Sequence, residues 1–85
     1  VIEAPCRIGA AGPAPLPVSP LPEHAVGLVQ SVKYAERTTI RAALEGSLDL
    51  AVAAFAHHPL IDGVGVAREL LERARAEFPE LGYLS

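Results

Sequence analysis

The fold is decided by residues 42–59, which read AALEGSLDLAVAAFAHHP. Gly46 can adopt the left-handed conformation that ends a helix, and Ser47 can cap the next helix through its side-chain oxygen. Asp49 follows in the first turn of that second helix, where a negative charge complements the helix dipole. Pro59 disfavours helical geometry at the preceding residue and so ends the second helix. We therefore predict two helices joined by a tight turn.

The helix before this turn is predicted over residues 22–45. Pro22 suits a first helical turn because its missing N–H is not needed there, and Glu23 complements the positive end of the helix dipole. The apolar residues recur three and four positions apart, as in a single buried stripe; they are Ala25, Leu28, Val29, Val32, Ala35, Ile40, Ala43 and Leu44. We expect this stripe to be covered in the folded protein.

Two shorter helices are predicted over residues 48–57 and 63–78. The first is apolar nearly all round, so we expect it to be the most buried element. The second has Asp62 as a candidate N-cap and ends before Pro79. Its apolar side is predicted to contain Val66, Ala67, Leu70, Leu71, Ala74 and Phe78, with an exposed pair of opposite charges formed by Glu69 and Arg73.

The N-terminal part of the chain predicts a short strand over residues 1–8, followed by a connector rich in proline and glycine over residues 9–21. Together with the three helices this gives a mainly α fold, an α+β fragment with a long first helix. One strand alone leaves unpaired N–H and C=O groups along both edges. We therefore expect this orphan strand to pair with a second copy of the chain or with sequence from a larger parent protein.

Length, composition and charge narrow the class of protein. A chain of 85 residues has room for one domain, and its apolar residues, 51% of the total, include few aromatics. The formal net charge of −3 argues against nucleic acid or an anionic membrane as a partner. No apolar run is long enough to span a membrane. The lone Cys6 and the lack of a recognisable secretory signal favour the cytoplasm, and Val1 in place of Met fits a cut fragment or a processed product.

The cysteine and the histidines do not predict a site of their own. Cys6 has no nearby histidine or second cysteine, so we expect a packed, inert thiol. His57 and His58 point about 100° apart on a helix and therefore cannot chelate one ion as an i,i+4 pair would. His24 is distant in sequence. We expect a structural role for the two adjacent histidines near the end of the second helix.

Three cations form a possible basic ridge on the long helix. Lys33, Arg37 and Arg41 are four residues apart and would lie on one side of the helix. A phosphate group could bind there, but Glu36 and Glu45 lie close by and charged rows on helices are commonly solvated. We prefer the solvated ridge and keep phosphate binding as the alternative.

Two glycine pairs and one tyrosine complete the candidates. Gly63 and Gly65 imitate the start of a dinucleotide fingerprint, but the third glycine and the preceding strand are missing. Gly9 and Gly12 have no following helix N-terminus to hold a phosphate. We interpret all four as turn glycines. Tyr34 could act as a base near Lys33, although partial burial is the more ordinary role of such a side chain.

The order of several strings resembles the C-terminal region of family 4 6-phospho-β-glucosidases. These strings are VIEAPCRIG at residues 1–9, PLPV at 15–18, LP at 21–22, GLVQSVK at 27–33, YAER at 34–37, AALEG at 42–46 and HPL at 58–60. Ser19 and Ser31 stand where glycine and alanine are usual in that family. The resemblance is strongest for enzymes acting on β-glucosides, and it leaves α-glucosides and related 6-phospho sugars open.

The resemblance implies a parent enzyme that binds NAD and a divalent metal, expected to be manganese, and hydrolyses a 6-phospho sugar by oxidation and elimination. Such enzymes depart from the two-carboxylate scheme of most glycosidases. The resemblance further implies a Rossmann domain before a C-terminal domain like that of lactate and malate dehydrogenases. The family's cofactor-binding, metal-binding and catalytic residues precede the matching region, so we assign none of these roles to this chain.

Our leading hypothesis is a structural C-terminal fragment, inactive by itself, whose helices wall the substrate domain and contribute to subunit contacts in a homo-oligomer. The alternative is a free-standing helical module that binds another protein through an alanine-rich face. Neither hypothesis requires a catalytic residue within residues 1–85.

Overall fold

The computed structural model describes residues 3–85 and is mainly α-helical, as the sequence predicts. Two short strands, β1 (Cys6–Gly9) and β2 (Gly12–Pro15), precede three helices. The helices are α1 (Glu23–Glu45), α2 (Leu48–Ala56) and α3 (Val64–Glu77), and a 3-10 helix follows at Pro79–Tyr83. Each α-helix begins and ends within one residue of its predicted bounds. The predicted fold class, mainly α with a small β part, is confirmed.

The turn between α1 and α2 has the predicted chemistry. Gly46 ends α1 with φ 67° and ψ 26°, and its N–H donates to the carbonyl of Ala42. Ser47 precedes α2, and its hydroxyl oxygen accepts the N–H of Leu50 at 3.2 Å. Gly46 and Ser47 therefore provide local hydrogen bonds for the end of α1 and the start of α2. The turn that they form brings α1 and α2 together as an antiparallel pair.

The core lies around α2, which contacts both α1 and α3. Its predicted place as the most buried element is confirmed, since only Asp49 among its residues is exposed. The buried cluster is small and consists mostly of small side chains; it contains Ala42, Ala51, Val52, Ala67, Leu71 and Leu84. Helix α2 thus serves as the centre of a three-helix layer.

The start of α3 differs from the prediction. Gly63, not Asp62, occupies the N-cap position, and no side chain accepts a hydrogen bond from the first turn. The end of α3 agrees with the prediction, because Phe78 has the extended geometry (φ −116°, ψ 96°) that a following proline favours. Pro79 then opens the 3-10 helix. The wrong N-cap shifts the start of α3 by one residue.

The C-terminal residues close the helical layer, an arrangement that the sequence did not predict. The N–H of Ser85 donates to the carbonyl of Gly46 at 2.9 Å, and the N–H of Leu48 donates to the carbonyl of Ser85 at 3.0 Å. Leu84 is only 5% exposed and belongs to the core cluster. The tail therefore ties the end of the chain to the turn between α1 and α2.

The prediction of an orphan strand was wrong for the described residues. The predicted strand covered residues 1–8, of which Val1 and Ile2 lie outside the described part; β1 starts at Cys6 and pairs antiparallel with β2. Strand β2 lies inside the predicted connector. Pro13 and Pro15 remove two N–H donors from β2, and proline is uncommon in strands, so residue propensities did not predict this strand. Gly12 carries the positive φ of 98° that lets the tight turn close.

The hairpin stands apart from the helices. Within residues 3–85, no residue of β1 or β2 contacts a helix. Its residues are almost all exposed, including Ile8 at 74%. The extended residues 16–22 connect it to α1, and the molecule measures 47 × 33 × 19 Å. The chain therefore consists of one layer of packed helices and a separate β-hairpin.

The apolar stripe of α1 is only partly covered, contrary to the prediction: one of its eight residues is buried, three are half-buried and four are exposed. The buried residues of α1 are Ala35, Thr38 and Ala42, of which only Ala35 belongs to the predicted stripe. Leu28, Ile40 and Leu44 are 56%, 58% and 83% exposed. Two physical reasons apply: Leu28 lies beyond the reach of α2, which has 9 residues against 23 in α1, whereas Ile40 and Leu44 lie on a side of α1 that faces away from α2. On α3 the same holds, since only Ala67 and Leu71 of its apolar side are buried.

Candidate functional site

An apolar groove lies between α1 and α2. Its volume is ≈ 800 Å³. One wall is the uncovered side of α1, and the other consists of the end of α2 and the turn that follows it. The lining residues are Val32, Ala35, Glu36, Thr39 and Ile40 from α1 together with Ala54, Phe55, His58, Leu60 and Ile61. We call this feature the α1–α2 groove.

Local hydrogen bonds shape the second wall of the groove. The N–H of Ile61 donates to the carbonyl of His58 at 2.9 Å, which closes a turn with Pro59 at its second position. The N–H of Leu60 also donates to Nδ1 of His58 at 3.2 Å. Nδ1 of His58 is therefore an acceptor and carries no proton in this arrangement. The turn holds Leu60 and Ile61 against the groove.

Glu36 is the only carboxylate that lines the groove. The Lys33 ammonium donates to the Glu36 carboxylate at 2.7 Å. This hydrogen bond lowers the pKa of Glu36 from its usual value, against an opposing effect of desolvation. Glu36 is therefore charged at neutral pH and already has a partner. The groove is mostly apolar, and its three polar side chains, Glu36, Thr39 and His58, are each hydrogen bonded to other groups and form no acid–base pair for catalysis.

The basic ridge of α1 is partly neutralised. Lys33 pairs with Glu36, and Arg41 pairs with Glu45 at 3.3 Å. Nε of Arg37 donates to the backbone carbonyl of Lys33. These contacts match the solvated ridge preferred from the sequence, since each cation already has an acceptor. Phosphate binding by the ridge stays an untested alternative.

The adjacent histidines lie at the end of α2, as predicted. Nδ1 of His57 is 2.8 Å from the carbonyl oxygen of Ala53, so it carries the proton and adds a second hydrogen bond to a carbonyl that also accepts the backbone N–H of His57 at 3.1 Å. The His57 ring also lies against the half-exposed Tyr34 ring, with centroids 4.5 Å apart. His24 lies in the exposed first turn of α1. In residues 3–85 no three His, Cys, Asp or Glu side chains come together as a metal-ligand set.

The remaining candidates are dispersed. Cys6 is exposed on β1, so the expected packed thiol was wrong; its Sγ lies 3.4 Å from the carbonyl oxygen of Ala4. Gly9 and Gly12 flank the hairpin turn, as predicted. Gly65 lies inside α3, so its prediction as a turn glycine was wrong. The structure does not bring these residues together or next to the groove.

Sequence reasoning missed the groove because it treated the apolar stripe of α1 as already covered. Phe55 and Ile61 were not singled out as candidates. A signal was nevertheless present: the stripe continues over about five turns of α1, whereas α2 was predicted with fewer than three turns. A long apolar stripe facing a short partner helix predicts an uncovered surface.

The fold and the groove together define a helical piece of an α+β domain, with an apolar face and a strand pair that are both uncovered. The sequence matches the family described as Family 4 glycosyl hydrolase C-terminal domain over residues 1–61. The chain belongs to this family.

Three curated relatives are similar to the chain. It is 35% identical over 83 positions to a probable 6-phospho-beta-glucosidase of Bacillus subtilis, covering 93% of the chain and 19% of the relative. It is 35% identical over 72 positions to a phospho-alpha-glucosidase of Clostridium acetobutylicum, and 29% identical over 72 positions to a maltose-6'-phosphate glucosidase of Fusobacterium mortiferum. Each of these two alignments covers 85% of the chain and 16% of the relative. The chain thus spans less than a fifth of the length of these relatives.

No solved structure matches the chain with significance. None of the helices in residues 3–85 combines the length and the apolar character needed to cross a membrane.

Proposed function

We propose that the chain is a structural part of the C-terminal domain of a 6-phospho-β-glucosidase. The observation that carries this proposal is the alignment over 93% of the chain to the Bacillus subtilis relative, together with the family match over residues 1–61. The strand pair, α1 and α2 all lie inside the matched region. In this proposal the chain supplies a helical wall of the domain, in a cytoplasmic enzyme.

The proposed parent enzyme uses NAD and a divalent metal, expected to be manganese, for oxidation and elimination of the phosphorylated sugar. The residues of this chain do not fit either group. Residues 3–85 offer no cluster of metal ligands, and no strand leads into a glycine-rich turn before a helix. The proposal therefore places both groups on other parts of the enzyme, and the chain alone is expected to be inactive.

The proposal also specifies the anomer of the sugar substrate, a β-glucoside. The identity is 35% to both the β-glucosidase and the α-glucosidase relatives. The larger share of the chain that aligns with the β-glucosidase, 93% against 85%, supports the β assignment. An assay must therefore compare both anomers.

A chimeric enzyme tests this proposal. In the Bacillus subtilis relative, the segment aligned with this chain is replaced by residues 1–85, and hydrolysis of 6-phospho-β- and 6-phospho-α-glucosides is measured with NAD and manganese. We expect the chimera to hydrolyse the β-glucoside and the isolated chain to hydrolyse neither. A folded chimera without activity, or an active isolated chain, would contradict the proposal.

The second candidate function is a free-standing helical module that binds another protein. The observation in its favour is the open α1–α2 groove, since large exposed apolar patches commonly mark binding sites. A folded but inactive chimera, combined with a stable isolated chain, would favour this module.

A further inference from the structure

We infer that the α1–α2 groove and the open edges of the hairpin form one docking surface for a β-sheet of the remaining glycosidase polypeptide. This inference rests on the proposed function, because it takes the partner from the same enzyme family. It names the occupant of the groove and states its chemistry: an apolar sheet face with a free edge strand.

The first support is the size of the uncovered surface on α1. A helix of 23 residues is about 35 Å long, whereas the 9 residues of α2 span about 14 Å. Leu28 near the start of α1 and Ile40 near its end are both more than half exposed. An apolar stripe of this length requires an apolar partner that extends well beyond α2.

The second support is the hairpin. A two-stranded hairpin without packing is marginally stable in water, and each of its strands has one unpaired edge. Strands β1 and β2 are exposed and contact no helix among the described residues. An edge strand of another sheet could pair with β1 or β2. The connector, residues 16–22, can span up to about 23 Å, so one sheet could reach both features.

The third support comes from the relatives. They align along 85–93% of this chain, yet the chain covers only 16–19% of their length. The additional polypeptide in the relatives is therefore large enough to supply such a sheet. Obligate interfaces resemble a domain core divided in two, and the groove is lined mostly by apolar side chains, as such an interface would be.

A second copy of the chain fits this surface less well. A twofold dimer places the same patch of each copy against the other. Such a dimer would present a groove to a groove, which leaves the apolar volume unfilled.

Thiol labelling of two matched positions tests the inference. Thr39 lines the groove, and Gln30 lies nine residues earlier, on the opposite side of α1. Both side chains are exposed. Thr39→Cys and Gln30→Cys are introduced separately with Cys6→Ser, and their reaction rates with a maleimide are compared in the isolated chain and in the chimeric enzyme described above.

In the isolated chain we expect both thiols to react at similar rates at every protein concentration. In the chimera we expect Thr39→Cys to react at least about tenfold more slowly than in the isolated chain, because the covered site must open before the thiol can react. Gln30→Cys should keep its rate. An unchanged rate of Thr39→Cys in the chimera would overturn the inference. Slowing in the isolated chain that grows with its concentration would also overturn it, in favour of a second copy.

The assay separates this inference from the proposed function. Protection of Thr39→Cys in a chimera that hydrolyses no sugar supports docking and contradicts the enzymatic proposal. An active chimera with a fully reactive Thr39→Cys contradicts docking alone.

A co-expression experiment covers the case in which the chimera does not fold. Tagged residues 1–85 are produced together with the Bacillus subtilis polypeptide that lacks the aligned segment. We expect the two to co-purify, and Ile40→Glu to reduce recovery at least several-fold while Gln30→Glu does not. Absence of co-purification, or equal recovery with both variants, would count against the docking surface.

Discussion

Gly46 is the residue on which the helical hairpin depends most directly. Its φ of 67° lies in the left-handed region, and an added Cβ would come within 3.3 Å of the carbonyl oxygen of Tyr83. We predict that Gly46→Ala lowers the free energy of unfolding by about 1–2 kcal/mol, from the left-handed conformation alone. Chemical denaturation followed by circular dichroism measures the change.

Gly27 provides the matched control with the opposite sign. It lies inside α1, and an added Cβ would meet no atom within 4 Å. Gly27→Ala should therefore raise stability by about 0.5–1 kcal/mol, because alanine favours the helix and restricts the unfolded chain. If both substitutions destabilised the chain equally, the left-handed geometry of Gly46 would not explain its effect.

The contact between Lys33 and Glu36 predicts a pH dependence. The hydrogen bond from Lys33 lowers the pKa of Glu36 in the folded chain. A lowered folded-state pKa adds stability above the unfolded-state pKa, and this contribution is lost as the pH falls through the folded-state pKa. We predict that Lys33→Ala raises the pKa of Glu36 toward its usual value, as measured by carboxyl NMR titration. An unchanged titration would show that the pair does not persist in solution.

At the scale of elements, the C-terminal tail stabilises the helical hairpin. Leu84 is buried in the core cluster at 5% exposure, whereas Leu44 on α1 is 83% exposed. We predict that Leu84→Ala costs about 2–4 kcal/mol of stability, as for other buried leucines. Leu44→Ala should change stability by no more than about 0.5 kcal/mol. Thermal unfolding of both variants compares the two; similar losses would mean that the tail does not pack in solution.

The sequence predicts some elements better than others, because some depend on contacts between neighbouring residues and others on contacts between residues far apart in the chain. Gly46 and Ser47 end one helix and begin the next through contacts within four residues, so local chemistry predicts them. Leu84 joins the core only through the path of the folded chain, and no local pattern indicates this. Strand β2 was missed because its two prolines lower strand propensity, although β1 supplies a partner nearby.

Local sequence patterns were also insufficient to predict the candidate site, the α1–α2 groove. The sequence predicted the apolar stripe of α1 but assigned its burial to this chain. Burial depends on which partner is present, and periodicity reports only which side of a helix is apolar. The sequence therefore identified the apolar side of α1, but its predicted burial was wrong for residues such as Leu28 and Ile40, which are exposed. In our proposal, the remaining polypeptide of the enzyme covers these residues.

At the scale of the whole molecule, the helical layer and the hairpin differ in their stabilising contacts. Helix α2 packs on both sides, whereas the hairpin contacts no helix within the described residues. The hairpin keeps cross-strand hydrogen bonds such as that from the N–H of Leu16 to the carbonyl of Pro5, 2.9 Å long. An isolated hairpin of this kind opens readily, because little apolar surface must be exposed when it does.

Amide hydrogen exchange of the isolated chain tests this difference. We predict that the Leu16 amide exchanges within about tenfold of the rate in an unstructured peptide, since its opening requires no disruption of the core. The amide of Val52, in the centre of α2, should exchange at least about a hundredfold more slowly than such a peptide. In the chimeric enzyme the Leu16 amide should gain protection, because a neighbouring sheet would hold the hairpin. Strong protection of Leu16 in the isolated chain would instead show that the hairpin is stable without a partner.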